Sequence, residues 1–284
     1  MRARSLFAGK VAVVIGASSG IGQAFARVVA EHGARVIAAS RNAAALERLC
    51  AEIGPEARAE SVDVRQRESV RSMIRNVAAR EGRLDILYNG AGVGLLATLE
   101  DTEDRHWDDV LSTNLLGVVH GMQAAYPIMQ AQGSGHILNV ASLAGLLPLP
   151  ASAAYAAAKY GVVGLSHSAR IDAARHGVAV SVVCPAAVDT PIFVESSFVN
   201  FDMKKVLASR PGSVLSAEEC AHRILRGMRR NAATIAPGPA GPLWLLYRHA
   251  PWLWDLAARH LAKSLESARR APAGPIQAEG PSVK

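Results

Sequence analysis

Short apolar runs alternate along the chain with longer, alanine-rich stretches of helical length. The apolar runs are nearly continuous, which is typical of strands buried on both faces of a sheet; they are Val11–Ile15, Arg35–Ala39, Arg58–Val62, Asp85–Tyr88, Gly135–Val140 and Val178–Val183. The stretches that predict helices include Gln23–His32, Ala44–Ile53, Arg67–Arg80 and Ala153–Arg175. This alternation predicts βαβ units with right-handed crossovers, and therefore an α/β fold with a doubly wound parallel sheet.

A glycine-rich turn follows the first predicted strand. Such a sheet binds ligands at the carboxyl ends of its strands, so this turn is the first place to look for a site. Its glycines permit a tight turn, close approach of a pyrophosphate and close helix packing, and the helix that follows offers free N–H groups to phosphate. The turn favours a Rossmann-like dinucleotide site, although a plain strand–helix connection is the alternative. The candidate cofactor-binding residues here are Gly16, Ser18, Ser19, Gly20, Ile21 and Gly22.

The end of the second strand indicates which nicotinamide cofactor is preferred. Ser40 and Arg41 stand where an acidic residue would bind the adenosine ribose of NAD. A guanidinium matches a 2′-phosphate, so we expect NADP(H) to be preferred over NAD(H); a solvated arginine at a helix start is the alternative. Asp63 and Val64, after the third strand, are candidates for the adenine contact, although Asp63 could instead cap the next helix.

Tyr155 and Lys159 are four residues apart on a predicted helix and therefore share one face. A nearby ammonium stabilises phenolate, so we expect Lys159 to lower the pKa of Tyr155 and to suit it to acid/base work. Ser142 follows a strand end and could hydrogen-bond a substrate carbonyl. Asn114 is placed late in the helix that precedes that strand. An ordinary helix surface is the alternative for the Tyr-x-x-x-Lys pair.

These motifs, taken together, resemble the short-chain dehydrogenase/reductase family, of the type usually called classical. The similarity runs from about residue 10 to 193, and more weakly to about 237. It is carried by the glycine turn, Asp63-Val64, Asn89-Gly90-Ala91-Gly92, Asn114, Ser142, Tyr155, Lys159 and the segment Pro185 to Thr190. The resemblance implies that hydride passes between the nicotinamide and a carbonyl carbon.

The resemblance also implies a role for each matching residue. Tyr155 is the acid/base, and Lys159 binds the nicotinamide ribose. Ser142 orients the substrate, and Asn114 holds a water of a proton relay. The further cofactor-binding residues that it implies are Asn89, Gly90, Ala91, Pro185, Val188 and Thr190, with Tyr155 and Lys159. Three positions depart from the family pattern, and these are Ile15 for Thr, Gly90 for a second Asn, and Ala186 for Gly.

Composition excludes several classes of protein. Half of the 284 residues are hydrophobic and 19% are charged, which is unlike a disordered chain. No apolar run approaches the roughly 20 residues of a membrane span, and the first ten residues lack a secretory signal. Cys50, Cys184 and Cys220 have no metal-ligand spacing, so we expect no metal site, a reducing compartment and a cytoplasmic location.

The net charge of +7 belongs entirely to residues 221–284, which hold ten basic and three acidic side chains. The same region holds Trp244, Trp252 and Trp254 beside Tyr247. Such a mixture favours a cover over the substrate cleft or a subunit interface. Peripheral membrane contact is a less favoured alternative, and nucleic-acid binding is not expected because no recognised motif accompanies the charge.

The predicted organisation is a single Rossmann-like domain with a C-terminal helical extension. The catalytic domain spans 1–237 and includes an apolar lid at 191–215, the basic and tryptophan-rich extension spans 238–270, and 271–284 is a disordered tail. Phe193, which lies within the lid, is a candidate substrate contact. Ser142 and Tyr155, which lie outside the lid, are the other two. The lid indicates a small hydrophobic ketone or secondary alcohol as substrate. The resemblance implies that helices around 107–129 and 153–175 pair in a homodimer or homotetramer.

The sequence therefore predicts an NADP(H)-dependent oxidoreductase, most simply a carbonyl reductase that is an alcohol dehydrogenase in reverse. A non-catalytic NADP(H)-binding scaffold or redox sensor is the alternative.

Overall fold

A seven-stranded parallel sheet forms the centre of the protein. The computed structural model describes residues 6–208 and 214–269, except for the side chain of Phe193. The nine strands within these residues are β1 Val11–Ile15, β2 Arg35–Ser40, β3 Ala57–Ser61, β4 Ile86–Asn89, β5 Leu95–Leu96, β6 Gly135–Val140, β7 Val178–Val183, β8 Ser197–Phe198 and β9 Thr234–Ile235. The sheet order is β3-β2-β1-β4-β6-β7-β9, and β5 pairs separately with β8. The order reverses between β1 and β4, which is the doubly wound, Rossmann-like arrangement that the sequence predicts.

Helices cover both faces of the sheet and create two apolar cores. The helices are α1 Gly20–Glu31, α2 Ala43–Ile53, α3 Arg67–Glu81, α4 Asp104–Leu111, α5 Gly117–Gln132, α6 Ala153–Ala174, α7 Ile192–Glu195, α8 Met203–Ala208, α9 Ala217–Arg229, α10 Ala240–His249 and α11 Pro251–Glu266. Side chains of α1, α2 and α9 fill one core, and those of α3, α5 and α6 fill the other. Every residue of β1 is buried between these two layers.

Two strands of the seven-stranded sheet depart from the sequence expectation. The strand predicted at Arg58–Val62 is β3, but it lies at the sheet edge and its residues are partly or fully exposed. It is therefore not buried on both faces. The seventh strand, β9, was absent from the prediction because only Thr234 and Ile235 pair with β7. Two residues are too short a run to give a recognisable apolar pattern.

The helix that carries Asn114 is interrupted by a π-helical turn. Residues Ser112–Leu116 form this turn between α4 and α5, and the last residue of α5 is Gln132. Asn114 therefore lies in the first half of the combined helix, so the expectation that it comes late in that helix is wrong. A π-turn inserts one extra residue and leaves the hydrophobic periodicity locally out of phase, which hides the helix start from sequence analysis.

The C-terminal extension is a pair of helices, α10 and α11, that pack against each other and contact the domain through Trp244 and Trp254. The chain thus forms a single domain with C-terminal helices. Among the described residues, none of the helices has both the length and the apolar character required to cross a bilayer. The tail predicted at 271–284 lies outside the described residues, as do residues 209–213 of the predicted lid.

Candidate active site

A cleft of about 950 Å³ opens along the carboxyl ends of the central strands. It lies beside the β1–β4 switch point, where such sheets bind their ligands. The residues of the sequence prediction that line this cleft are Gly16, Ser18, Ser19, Gly20, Ile21, Gly22, Ser40, Arg41, Asp63, Val64, Gly90, Ala91, Ser142, Tyr155, Lys159, Pro185, Val188 and Thr190. Asn89 and Asn114 are buried and do not line it, and the side chain of Phe193 lies outside the described part of the structure.

Two glycines of the turn, Gly16 and Gly22, leave no room for a side chain at their positions. A Cβ at Gly22 would lie 2.2 Å from the carbonyl oxygen of Gly16, and a Cβ at Gly16 would lie 2.6 Å from Ala91 N. Gly16 and Gly20 also have φ values of +85° and +55°, a region that other residues rarely adopt. Helix α1 begins here without a side-chain hydrogen bond from its N-cap Ser19 and without an acidic residue in its first turn. Free N–H groups at a positive dipole end fit a pyrophosphate, so this cradle suits a dinucleotide cofactor.

Where the cleft passes the ends of β2 and β3, one carboxylate lies near two cations. Arg65 donates to both oxygens of Asp63, with the shortest N–O distance at 2.7 Å. These bonds, with a contribution from Arg41, hold the pKa of Asp63 below its usual range. Arg41 is exposed on the cleft wall and makes no ion pair with the described residues. Arg65 was not among the candidate residues, because an arginine beside an acid at a helix start has no distinctive sequence pattern.

Tyr155 and Lys159 project from α6 into the same cleft, close to Ser142 at the end of β6. The Lys159 Nζ lies 5.5 Å from the centre of the Tyr155 ring. Burial raises the pKa of Tyr155 above its ordinary value, and a hydrogen bond with the Ser142 side chain partly opposes this. Burial is the largest influence on this pKa, so its net direction is upward and the expectation that Lys159 lowers the pKa of Tyr155 is not met by the protein alone.

Lys159 itself is almost completely buried, at 3% exposure. Its ammonium donates to the carbonyl oxygen of Val140 at 3.0 Å, and burial lowers its pKa from 10.5 to about 8. A cation this poorly solvated gains from any further oxygen acceptor that enters the cleft. Ribose hydroxyls are acceptors of this kind, so the position fits the ribose role that the resemblance implies.

Asn114 holds the adjoining loop in place. Its amide oxygen accepts from Val93 N at 2.8 Å, and its amide nitrogen donates to the Val93 carbonyl at 2.9 Å. A Cβ at Gly92 would lie 3.2 Å from the Asn114 oxygen and 3.6 Å from the Lys159 nitrogen. The side chain of Asn114 thus hydrogen-bonds the backbone beside Lys159 and holds this segment in position.

Asn89 lies behind the cleft, where it joins two strands of the sheet. Its amide donates to the side-chain oxygen of Asn139 at 2.9 Å, and Asn139 in turn donates to the Ser166 hydroxyl at 3.0 Å. The Asn89 oxygen faces Gly121, where a Cβ would approach it to 2.2 Å. The side chain of Asn89 therefore links β4 to β6 and, through Asn139, to α6.

The substrate end of the cleft is lined mainly by apolar side chains. From the predicted lid, Ile192, Phe198 and Val206 contribute to the lining, together with Glu195 and Ser196. The apolar lining residues that the sequence analysis did not name are Leu95, Leu96, Leu143, Leu149, Leu261 and Leu265. The last two belong to α11, and nothing in the local sequence indicates which of its leucines face the site.

Comparison with known proteins identifies the family. The model of the short chain dehydrogenase family matches residues 10–198. The chain belongs to this family. It is 35% identical over 189 residues to an uncharacterized oxidoreductase of Staphylococcus epidermidis, covering 66% of this chain and 82% of the relative. It is 36% identical over 192 residues to a 3beta-hydroxysteroid dehydrogenase of Mediterraneibacter gnavus, covering 66% and 69%.

A solved structure shares the complete architecture. A short chain dehydrogenase/reductase from Burkholderia phymatum in complex with NAD superposes with a TM-score of 0.77 at 29% identity, covering 95% of this chain and 98% of the other. The chain is thus an oxidoreductase of a family that binds nicotinamide cofactors.

Proposed function

We propose that the protein is an NADP(H)-dependent oxidoreductase that interconverts a hydrophobic ketone and its secondary alcohol. The observation that carries the proposal is the convergence, in one cleft, of the glycine cradle with Ser142, Tyr155 and Lys159. The bound nicotinamide supplies the hydride and takes it back in the reverse direction. The cradle holds the pyrophosphate, Lys159 the ribose, and the segment from Pro185 through Val188 to Thr190 the carboxamide.

The protein's own groups perform the proton chemistry. Tyr155 donates its phenolic proton to the carbonyl oxygen as negative charge develops there, and it recovers the proton from the alcohol in reverse. Ser142 donates a hydrogen bond to the same oxygen and fixes its distance from Tyr155. Because the pKa of Tyr155 is raised by burial, the phenol is protonated at neutral pH, which suits the reductive direction.

Replacing Tyr155 by Phe tests the reaction. The variant keeps the ring but loses the acid, so we expect turnover of ketones to fall by at least about a hundredfold while NADPH binding is retained. Absorbance of NADPH measures turnover, and fluorescence titration measures binding. Unchanged turnover would overturn the assignment of Tyr155. Tight NADPH binding with no turnover by the unmodified protein, on a broad ketone and alcohol panel, would favour the non-catalytic scaffold or redox sensor instead.

The preference for NADP(H) rests on Arg41. This residue lines the cleft at the end of β2, where Ser40 and Asn42 flank it in place of an acidic residue. A guanidinium that makes no ion pair with the described residues is available to a 2′-phosphate. The Burkholderia phymatum structure holds NAD, so the proposed preference for NADP(H) rests on Arg41 and not on that neighbour.

Arg41→Ala tests that preference. We expect the KM for NADPH to rise by at least about tenfold, and that for NADH to change little, because only NADPH carries the 2′-phosphate. Arg48→Ala is the matched control, since Arg48 is exposed on α2 and does not line the cleft. Equal effects of Arg41→Ala on both cofactors would contradict the preference.

The apolar lining of the cleft supports a hydrophobic substrate. The relative from Mediterraneibacter gnavus is named for a hydroxysteroid, which is a secondary alcohol on a large apolar body. We propose the same chemical class here, a carbonyl or hydroxyl group on an apolar frame, with Phe193 as a further contact in the lid.

A further inference from the structure

We propose that α11 forms a wall of the substrate pocket and that Leu261 and Leu265 determine the size of substrate that the pocket accepts. This inference rests on the proposed function and deepens it. The helix lies beyond residues 10–198, so the family match assigns it no role. Of the described residues after Val206, only these two leucines line the cleft that contains Ser142 and Tyr155.

The start of α11 is fixed to the loop that follows Ser142. The indole nitrogen of Trp254 donates to the carbonyl oxygen of Pro148 at 2.9 Å, and the Trp254 side chain is buried. Leu149 and Pro150, the next residues of that loop, line the cleft. Buried tryptophans need a partner for their N–H, so this bond also fixes the position of the helix.

The segment that follows α11 is fixed to the residues that follow β5 and to those around Phe201. The Arg269 guanidinium pairs with Asp101 at 2.8 Å and with Glu100 at 3.1 Å. The backbone N–H of Asp202 donates to the Ala268 carbonyl at 2.8 Å, beside a bridge between Phe201 and Arg269. Phe201 belongs to the segment that also supplies Phe198 and Val206 to the cleft lining.

With these attachments in place, one face of α11 is turned towards the protein and the other towards solvent. Trp254 and Leu265 are buried, whereas Trp252 and Leu256 on the same helix are each 67% exposed. Leu261 is 36% exposed and therefore lies at the rim of the wall, while Leu265 lies deeper. Both inward leucines are apolar, so a substrate frame that reaches them gains by burying apolar surface rather than by hydrogen bonding.

The wall is tested with ketones of graded size. Linear methyl ketones from butanone to dodecanone and the bicyclic ketone decalone are assayed with NADPH. Leu261→Trp adds bulk at the rim, where the exposed side can accommodate it, and should lower the ratio of kcat/KM for decalone to that for butanone by at least about tenfold. Leu265→Ala enlarges the pocket and should raise the ratio of decalone to butanone turnover by a similar factor.

Leu256→Ala is the matched control on the outer face of the same helix. The proposed role of α11 is contradicted if kcat/KM depends on ketone size in the same way for Leu261→Trp and Leu265→Ala as for Leu256→Ala. Should Leu265→Ala fail to fold, the Leu261→Trp comparison decides alone.

A binding measurement tests the proposed role of α11 independently of the proposed reaction. If the unmodified protein reduces none of the ketones, the proposed function fails, and calorimetric titration of decalone into the protein then tests the wall. Weaker binding by Leu261→Trp than by Leu256→Ala supports it. Equal affinities, or no binding by the unmodified protein, contradict it.

Discussion

Tyr88 lies in β4 and Gly90 directly follows the strand. The two residues lie on one face, so the side chain at one position limits the space at the other. Tyr88 is fully buried and stacks on Phe25 of α1, with ring centroids 4.7 Å apart. A Cβ at Gly90 would lie 2.2 Å from Cε1 of Tyr88. The departure from the family's second asparagine therefore has a steric cause, since a large ring occupies the space that a side chain at residue 90 would need.

Gly90→Ala should therefore destabilise the protein through Tyr88. We expect a loss of about 1–3 kcal/mol of unfolding free energy, which is the usual range for overpacking a core. Chemical denaturation monitored by circular dichroism measures it. In a protein that already carries Tyr88→Val, adding Gly90→Ala should cost little further unfolding free energy, because the ring is then gone.

Gly241→Ala is the control for that double-mutant cycle. Gly241 lies in α10, and its added Cβ would meet nothing closer than 3.8 Å, so the change should be neutral or mildly stabilising. A Gly90→Ala variant as stable as Gly241→Ala would mean that the ring and the backbone adjust freely, and the steric explanation would be wrong.

At the scale of elements, what the sequence predicts follows the strength of each local pattern. Strands β1, β6 and β7 have the predicted bounds, because each is a mostly apolar run whose residues are largely buried. The glycine turn, Ser142, Tyr155 and Lys159 were also recognised, since each stands directly beside a strong element. All of them line the cleft.

Elements that depend on contacts between residues far apart in the sequence have no local pattern from which they can be predicted. The paired β5 and β8 have two residues each and are brought together across a separation of about a hundred positions. The wall formed by α11 depends on the Trp254 bond to Pro148, between residues 106 positions apart. The leucines of α11 are spread around the helix, so only the docked structure separates the inward Leu265 from the exposed Leu256.

For the molecule as a whole, two exposed apolar surfaces remain among the described residues. One, the α6 surface, includes Tyr160 and Ile171, which is 78% exposed, with Leu116 near the start of α5. The other is the outer face of α10 and α11, with Trp252 and Leu256 among basic residues such as Arg259. Exposed apolar patches of this kind mark interfaces between proteins or with lipid.

The α6 surface has the features expected of an interface between two copies of the chain. Tyr160 and Ile171 are eleven residues apart and therefore lie on one side of the helix. Gly164 lies on the same side, and a Cβ there would meet nothing within 4 Å, so a second helix can approach closely. The resemblance implies pairing through this helix in a homodimer or homotetramer.

Ile171→Glu should therefore lower the oligomeric state. A carboxylate placed in a helix–helix interface loses its hydration without gaining a partner, so we expect the molar mass from size-exclusion chromatography with light scattering to fall. Leu256→Glu is the matched control, because it puts the same charge on the other exposed surface. If Leu256→Glu dissociates the oligomer and Ile171→Glu does not, the C-terminal helices form the interface instead. If Leu256→Glu abolishes co-sedimentation with anionic vesicles without changing the mass, that second surface contacts lipid.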